Sequence, residues 1–135
     1  MKTIIADAVV GELDRLRDFV DCELEALGCK PGVMLGMELV VEEVFVNIAS
    51  YAYPDGNGKA EVSVGCDGDP GTVTLIFRDS GIPFDPVARP DADTSPEALN
   101  SRVGGLGILL VKKTMDEVVY AREGGCNVLT LKKKL

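Results

Sequence analysis

The chain contains no histidine, and that absence removes several chemistries outright. No Ser-His-Asp or Cys-His nucleophile system, no His-Glu-x-x-His metal site and no phospho-accepting histidine can exist in it. Any general base must be a carboxylate, a lysine or a tyrosine. Basic residues are outnumbered, with 14 Lys and Arg against 22 Asp and Glu and a formal net charge of −8. Direct nucleic-acid binding is therefore not expected, because neutralising phosphates takes clustered Lys and Arg. The one basic run, Lys132–Lys134, reads as a solvated strand end. No apolar run approaches the roughly 18 to 20 residues of a membrane span, so no membrane association is expected. The N-terminal stretch turns acidic early and has no small-residue cleavage site after an apolar core, so no signal peptide is expected and the cytoplasm is the default. The cysteines Cys22, Cys29, Cys66 and Cys126 show no C-x-x-C spacing and lack histidine partners for the usual zinc sets. They are expected to be reduced and mostly buried.

What is present is an ordinary globular composition: 135 residues, 46% hydrophobic and 27% charged, enough for one domain with a real core. Lys2–Ala6 reads as a short strand. Apolar residues recur at helical spacing from Asp7 to Leu27, and Gly28 is a plausible stop. After the turn Lys30-Pro31-Gly32 a second helix is expected, to about Tyr53. Ala60–Cys66 and Thr72–Arg78 read as a hairpin. An irregular stretch then runs from Asp79 to about Val103, a length that is usually functional or disordered. A helix Ile108–Met115 and a closing hairpin, Val118–Arg122 with Asn127–Leu131, complete the chain. The order β α α β β loop α β β implies an α+β fold, a mixed, mainly antiparallel sheet with helices on one face.

The stretch Gly36–Tyr53, GMELVVEEVFVNIASYAY, organises the rest. At about 100° per residue, Met37, Val40, Val41, Val44, Phe45 and Ile48 fall on an arc that can only be core. Two polar lines remain, Glu38 with Glu42, read as solvent-facing, and Glu43 with Asn47, one turn apart. A surface helix needs only one polar face. The second line is either a buried acid and amide satisfied by loop backbone, or an acid/base beside a metal or ligand amide. Asp79-Ser80-Gly81 follows directly on a hydrophobic strand. It is a common turn sequence, but a carboxylate there can accept from an exocyclic amine, and the glycine allows close backbone approach. Gly104-Gly105-Leu106-Gly107 opens a helix, where exposed N–H groups and the helix dipole make an anion site, although a hinge would look the same. It is not a Walker A motif, since no Gly-Lys-Ser/Thr follows.

The order of these motifs resembles the ATP-binding fold of the GHKL superfamily, a Bergerat-type two-layer α/β sandwich. Within it the chain is most similar to the anti-sigma-factor serine-protein-kinase family, the partner-switching kinases. EEVFVNIASYAYP, FRDSGIPFDP and GGLGILLVKKTMDEVVY carry that likeness, which spans essentially the whole chain as a single domain, 1–135. The resemblance implies ATP and Mg²⁺ as cofactors. Asn47 would bind the metal, and Glu43 would be the general base toward a Ser or Thr hydroxyl. Asp79 would accept from the adenine amine, with Gly81 making room for the base. Gly104, Gly105 and Gly107 would wrap the phosphates, with Arg102 the nearest basic residue of a lid over 79–103. The implied partners are a sigma factor and a small anti-sigma antagonist protein, and the resemblance also suggests a homodimer.

This chain departs from the family pattern at three places. Tyr51 stands where a histidine is frequent, Leu106 where an arginine is frequent, and Cys126 where a threonine helps hold the adenine. Two functions follow from different classes. One is a serine/threonine kinase that phosphorylates the antagonist and sequesters the sigma factor. The other is a non-catalytic module whose shape is set by nucleotide.

Overall fold

In the computed structural model, residues 1–68, 71–87 and 106–135 are described, the side chain of Leu106 excepted. Strand β1 (Lys2–Asp7) leads through a 3₁₀ turn (Val10–Glu12) into helix α1 (Leu13–Ala26). Helix α2 (Pro31–Asn47) runs directly into a π-helical turn (Ile48–Ala52). Strands β2 (Lys59–Asp67) and β3 (Thr72–Asp79), helix α3 (Leu106–Thr114), and strands β4 (Glu117–Glu123) and β5 (Cys126–Lys134) follow. The five strands lie in the order β1-β2-β3-β5-β4. All four pairings are antiparallel, so the expected α+β sheet forms without the parallel pair that a mixed sheet would need.

Each element has a local cause. Leu13, Leu16, Val20 and Leu24 are the buried residues of α1, at the three- and four-residue spacing of one helix face. The helix stops where Gly28 takes φ 74°, and the Cys29 N–H turns back to Leu24 O at 3.1 Å. Helix α2 opens on Pro31, whose missing N–H costs nothing in a first turn. Its Met37, Val40, Val41, Val44 and Phe45 are all buried, and Ile48 continues the same face. These pack on the inward residues of the sheet, Val62, Val64, Val73, Leu75, Phe77, Leu129 and Leu131. The β4–β5 turn uses Gly124 (φ 56°) and Gly125 (φ 78°), two left-handed residues of the kind that keep a tight hairpin in step with strand twist.

Several sequence expectations are corrected. The first helix does not begin at Asp7, because β1 stays paired with β2 as far as Asp7↔Lys59 and an ion pair joins those side chains at 3.1 Å. Val9 and Val10, assigned to its apolar face, are consequently exposed. The second helix is not α-helical to Tyr53: the ladder widens to π geometry after Asn47. The cysteines are free, but Cys22 and Cys66 are exposed and Cys29 and Cys126 only half-buried; Cys66 shares the inward parity of Val62 and Val64 but lies near the end of β2, past the buried core. Glu38 is half-buried and hydrogen-bonds Asp21 of α1 rather than facing solvent. The proposed lid lies mostly outside the described residues, as do Arg102, Gly104 and Gly105.

Candidate functional site

Three polar side chains stand in one row across the sheet. Asp79 of β3 is directly opposite Asn127 of β5, and Asn127 is directly opposite Arg122 of β4. Asp79 and Asn127 are each 6% exposed, on the face toward the helices, because residues 127, 129 and 131 share one parity of β5. The Asn127 amide bridges the row. Its Nδ2 donates to Asp79 Oδ1 at 2.9 Å and to Ile82 O at 2.8 Å. Its Oδ1 accepts from Tyr120 OH at 2.5 Å, Arg122 at 3.2 Å and the Phe84 N–H at 3.3 Å. The Gly81 N–H also donates to Asp79 Oδ1, at 2.9 Å.

Above this row a narrow cleft opens between the sheet and α2, with about 40 Å³ of room inside and about 440 Å³ when the open space at its mouth is counted. Phe77, Leu129 and Tyr120 form the floor; Val44, Asn47, Ile48 and Ala52 line the α2 side; and Phe84, Pro86 and Ile108 close it. Asp79 and Asn127 bring the polar groups to its edge. Mostly apolar walls around a few convergent polar groups are what a small-molecule site needs. The structure therefore brings Asn47 and Asp79, two of the sequence-predicted residues, to the same cleft.

The loop after β3 is fastened to the π-helical turn. Ile82 N–H donates to Ala52 O at 2.8 Å. Tyr53 OH accepts the Ser80 N–H at 2.8 Å and donates to Lys59 O at 2.5 Å. Tyr51 stacks on Phe84 with ring centroids 6.0 Å apart. A side chain on Gly81 would collide with the Ala52 carbonyl and approach its Cβ to 2.6 Å, so the space that this glycine leaves is filled by Ala52.

Glu43 sits apart from the cleft lining. It lies against Gly107 of α3: a Cβ there would run into the Glu43 carboxylate, with the carboxyl carbon only 2.6 Å away. Both border a surface groove with Leu109, Leu110 and Lys113. Glu43 and Asn47 thus face neighbouring spaces one helical turn apart. Cys126 is not among the cleft residues, and its Sγ lies 3.6 Å from Ser80 Oγ. That contact, with Arg78 and Arg122 nearby, pulls the thiol below its ordinary range. The sequence reading assigned no role to Asn127, Tyr120 or Phe84. The signal for Asn127 was there, a polar residue at an inward parity of a strand otherwise carrying Leu129 and Leu131.

The sequence profile of the histidine kinase-like ATPase domain matches residues 7–133. The chain belongs to that family. It is 26% identical over 97 residues to the serine-protein kinase RsbW of Staphylococcus aureus, in strains JH9 and Newman alike. That match covers 67% of this chain and 60% of the relatives' length, so the chain spans less than two thirds of the curated proteins it resembles. Among solved structures, the SiaB–SiaC complex from Pseudomonas aeruginosa contains a similar chain, with a TM-score of 0.62 and 18% identity over 98% of this chain and 89% of that one. At that identity the likeness speaks for the fold.

A histidine kinase-like ATPase domain implies ATP, usually with Mg²⁺, and the residues fit both. The cleft offers apolar walls for a ring system and a carboxylate acceptor for an amine. Among the described residues no group of three or more His, Cys, Asp and Glu could hold a metal by itself. A lone amide oxygen such as that of Asn47 suits an ion held mainly by phosphate oxygens and water, the usual mode for Mg²⁺. No helix of the described residues is long and apolar enough to cross a membrane.

Proposed function

We propose that this chain binds Mg²⁺–ATP in the cleft between α2 and the sheet and transfers its terminal phosphoryl group to a serine or threonine of a small partner protein. The observation that carries the reading is the convergence of Asn47 and Asp79 on one apolar cleft, with Glu43 and Gly107 in contact at its neighbouring groove. Asp79 would receive the adenine amine. Asn47 would hold the metal, which when bound supplies charge neutralisation on the phosphates. Glu43 would accept the proton of the incoming hydroxyl as that oxygen bonds the terminal phosphorus and ADP departs with the bridging oxygen. Gly107 would leave room for the carboxylate to reach that proton. Gly104, Gly105 and Arg102 complete the proposal on the phosphate side.

The kinship with serine-protein kinase RsbW, and the fold shared with a chain of the SiaB–SiaC complex, support a partner-switching role. In that role the partners are a sigma factor and a small antagonist, acting in the cytoplasm, and the protein works as a homodimer. The assay is transfer from labelled ATP to purified candidate antagonists. Wild type transfers label, Asn47→Ala loses Mg²⁺-dependent nucleotide binding, and Glu43→Ala binds ATP but transfers about a hundredfold more slowly. Transfer by Glu43→Ala at the wild-type rate would remove Glu43 from the mechanism.

A second reading, a nucleotide-shaped binding module without transfer, draws on Glu43 lying outside the cleft lining and on Cys126 engaging Ser80 in place of Asp79. Tight ATP binding with no transfer to any antagonist would favour it.

A further inference from the structure

We propose that Asn127 sets the base specificity of the cleft, by holding Asp79 as an acceptor and fixing the loop Gly81–Phe84 beside it. The inference rests on the nucleotide reading above and adds to it a positioning residue.

The amide of Asn127 has only one workable orientation. Its oxygen faces three donors, Tyr120 OH, the Arg122 guanidinium and the Phe84 N–H. Its nitrogen faces two acceptors, Asp79 Oδ1 and Ile82 O. Turned by half a rotation, the oxygen would meet a carboxylate and a carbonyl, and the NH₂ would meet a guanidinium and an N–H, so every contact except that with the Tyr120 hydroxyl, which can also accept, would become repulsive. The row Asp79–Asn127–Arg122 therefore aligns the amide dipole between a negative and a positive group, with the Asp79 contact buried and the Arg122 contact partly buried. Arg122 adds a second tie to the same loop, donating to Gly81 O at 2.8 Å.

The consequence falls on Asp79. Among the described residues both of its donors, Asn127 Nδ2 and the Gly81 N–H, converge on Oδ1. Its other oxygen is left to act toward the cleft, as an acceptor. An acceptor fixed at this edge favours a purine carrying an exocyclic amine and disfavours one carrying a carbonyl, whose oxygen would face the carboxylate. Asn127 also fastens Ile82 O and the Phe84 N–H, so the loop that borders the base is held before any ligand arrives.

ATP and inosine triphosphate differ on this edge by the amine or carbonyl at the purine six-position, which also decides whether N1 accepts or donates, so the ratio of their affinities reads how firmly the acceptor is fixed opposite the amine. Calorimetric titration of the full chain with each nucleotide and Mg²⁺ is expected to show wild type preferring ATP by roughly tenfold or more, the worth of one well-made hydrogen bond to a charged group. Asn127→Leu, close in size and without polar atoms, is expected to bring that ratio to within about threefold, chiefly by weakening ATP. Hydrogen exchange of the Gly81 and Phe84 amides without nucleotide is expected to speed up in the same variant. If Asn127→Leu does not fold, the double variant Tyr120→Phe/Arg122→Met, which strips two donors from the amide oxygen, decides by the same ratio. An unchanged ratio in whichever variant folds overturns the proposal. Loss of the preference in Asp79→Asn but not in the Asn127 variant overturns the Asn127 inference alone, whereas wild type binding neither nucleotide overturns the ATP reading and this inference with it.

Discussion

Glu43 and Gly107 are in direct contact across the α2–α3 interface, with the glycine's missing side chain occupied by the glutamate carboxylate. At the other end of the same helix pair, Gly36 faces Thr114, whose Cγ2 would lie 3.2 Å from an added Cβ. The two helices therefore run antiparallel, and α3 delivers its N-terminal end to Glu43.

Gly107→Ala separates stability from chemistry. The obstacle to a methyl group is the far end of a flexible side chain, which can swing aside, and alanine within a helix is favoured over glycine by about 0.5–1 kcal/mol. Thermal stability should be unchanged or slightly higher, measured by a melting curve. Because Glu43 must move, phosphoryl transfer to a purified antagonist should fall by about tenfold or more, a substantial part of what a general base contributes.

Gly81→Ala should behave in the opposite way. Its methyl group meets backbone, the Ala52 carbonyl, together with the Ala52 Cβ at 2.6 Å. Neither can turn away, since Ala52 O is held by the Ile82 N–H. Overpacking of this kind costs about 1–3 kcal/mol, a fall of several degrees in melting temperature for a domain of this size. A melting curve of Gly81→Ala that overlays wild type would mean that the loop after β3 is not seated on the π-helical turn.

The pairing of Asp21 with Glu38 gives a pH signature. Burial, then hydrogen bonding to Glu38 and repulsion from Glu38, Asp18 and Glu25, push the Asp21 carboxyl up from 3.8 to about 6, and its Oδ1 is sealed from solvent with no hydrogen-bond partner among the described residues. A carboxyl whose folded value is raised binds its proton more tightly when folded, so it favours folding at low pH, and that contribution falls away as pH rises from about 4 through 6. Asp21→Asn should therefore melt higher than wild type at pH 7.5, and the gap should narrow as the pH is lowered toward 4. A gap independent of pH would show that the α1–α2 interface holds no such proton.

Much of this architecture was legible because it follows from periodicity. The buried residues Met37, Val40, Val41, Val44, Phe45 and Ile48 lie where a 3.6-residue repeat puts them, and both hairpins close at glycine-containing turns. Asn47 was identifiable from a second polar line on a helix that needs only one, and Asp79 from an acid at the end of a hydrophobic strand with glycine two residues on. What stayed hidden depends on contacts between distant segments. The π-helical turn after Asn47 has no sequence marker. Glu38 looked solvent-facing because α1, which supplies Asp21, is invisible to a helix considered alone. Asn127 acquires its role only from the register that sets it between Asp79 and Arg122. Cys126 was placed in the site by position in a motif, whereas strand parity turns it toward Ser80.

In the proposed function the cleft above Asp79 receives adenine while Asn47 serves the metal. Titration calorimetry of the full chain with ATP, with and without Mg²⁺, tests it most directly when wild type, Asp79→Asn and Asn47→Ala are compared. The expected result is Mg²⁺-dependent binding by wild type, at least about tenfold weaker binding by Asp79→Asn, and loss of the Mg²⁺ dependence in Asn47→Ala. Equal, Mg²⁺-dependent ATP affinity in all three proteins would contradict the assignment of the site.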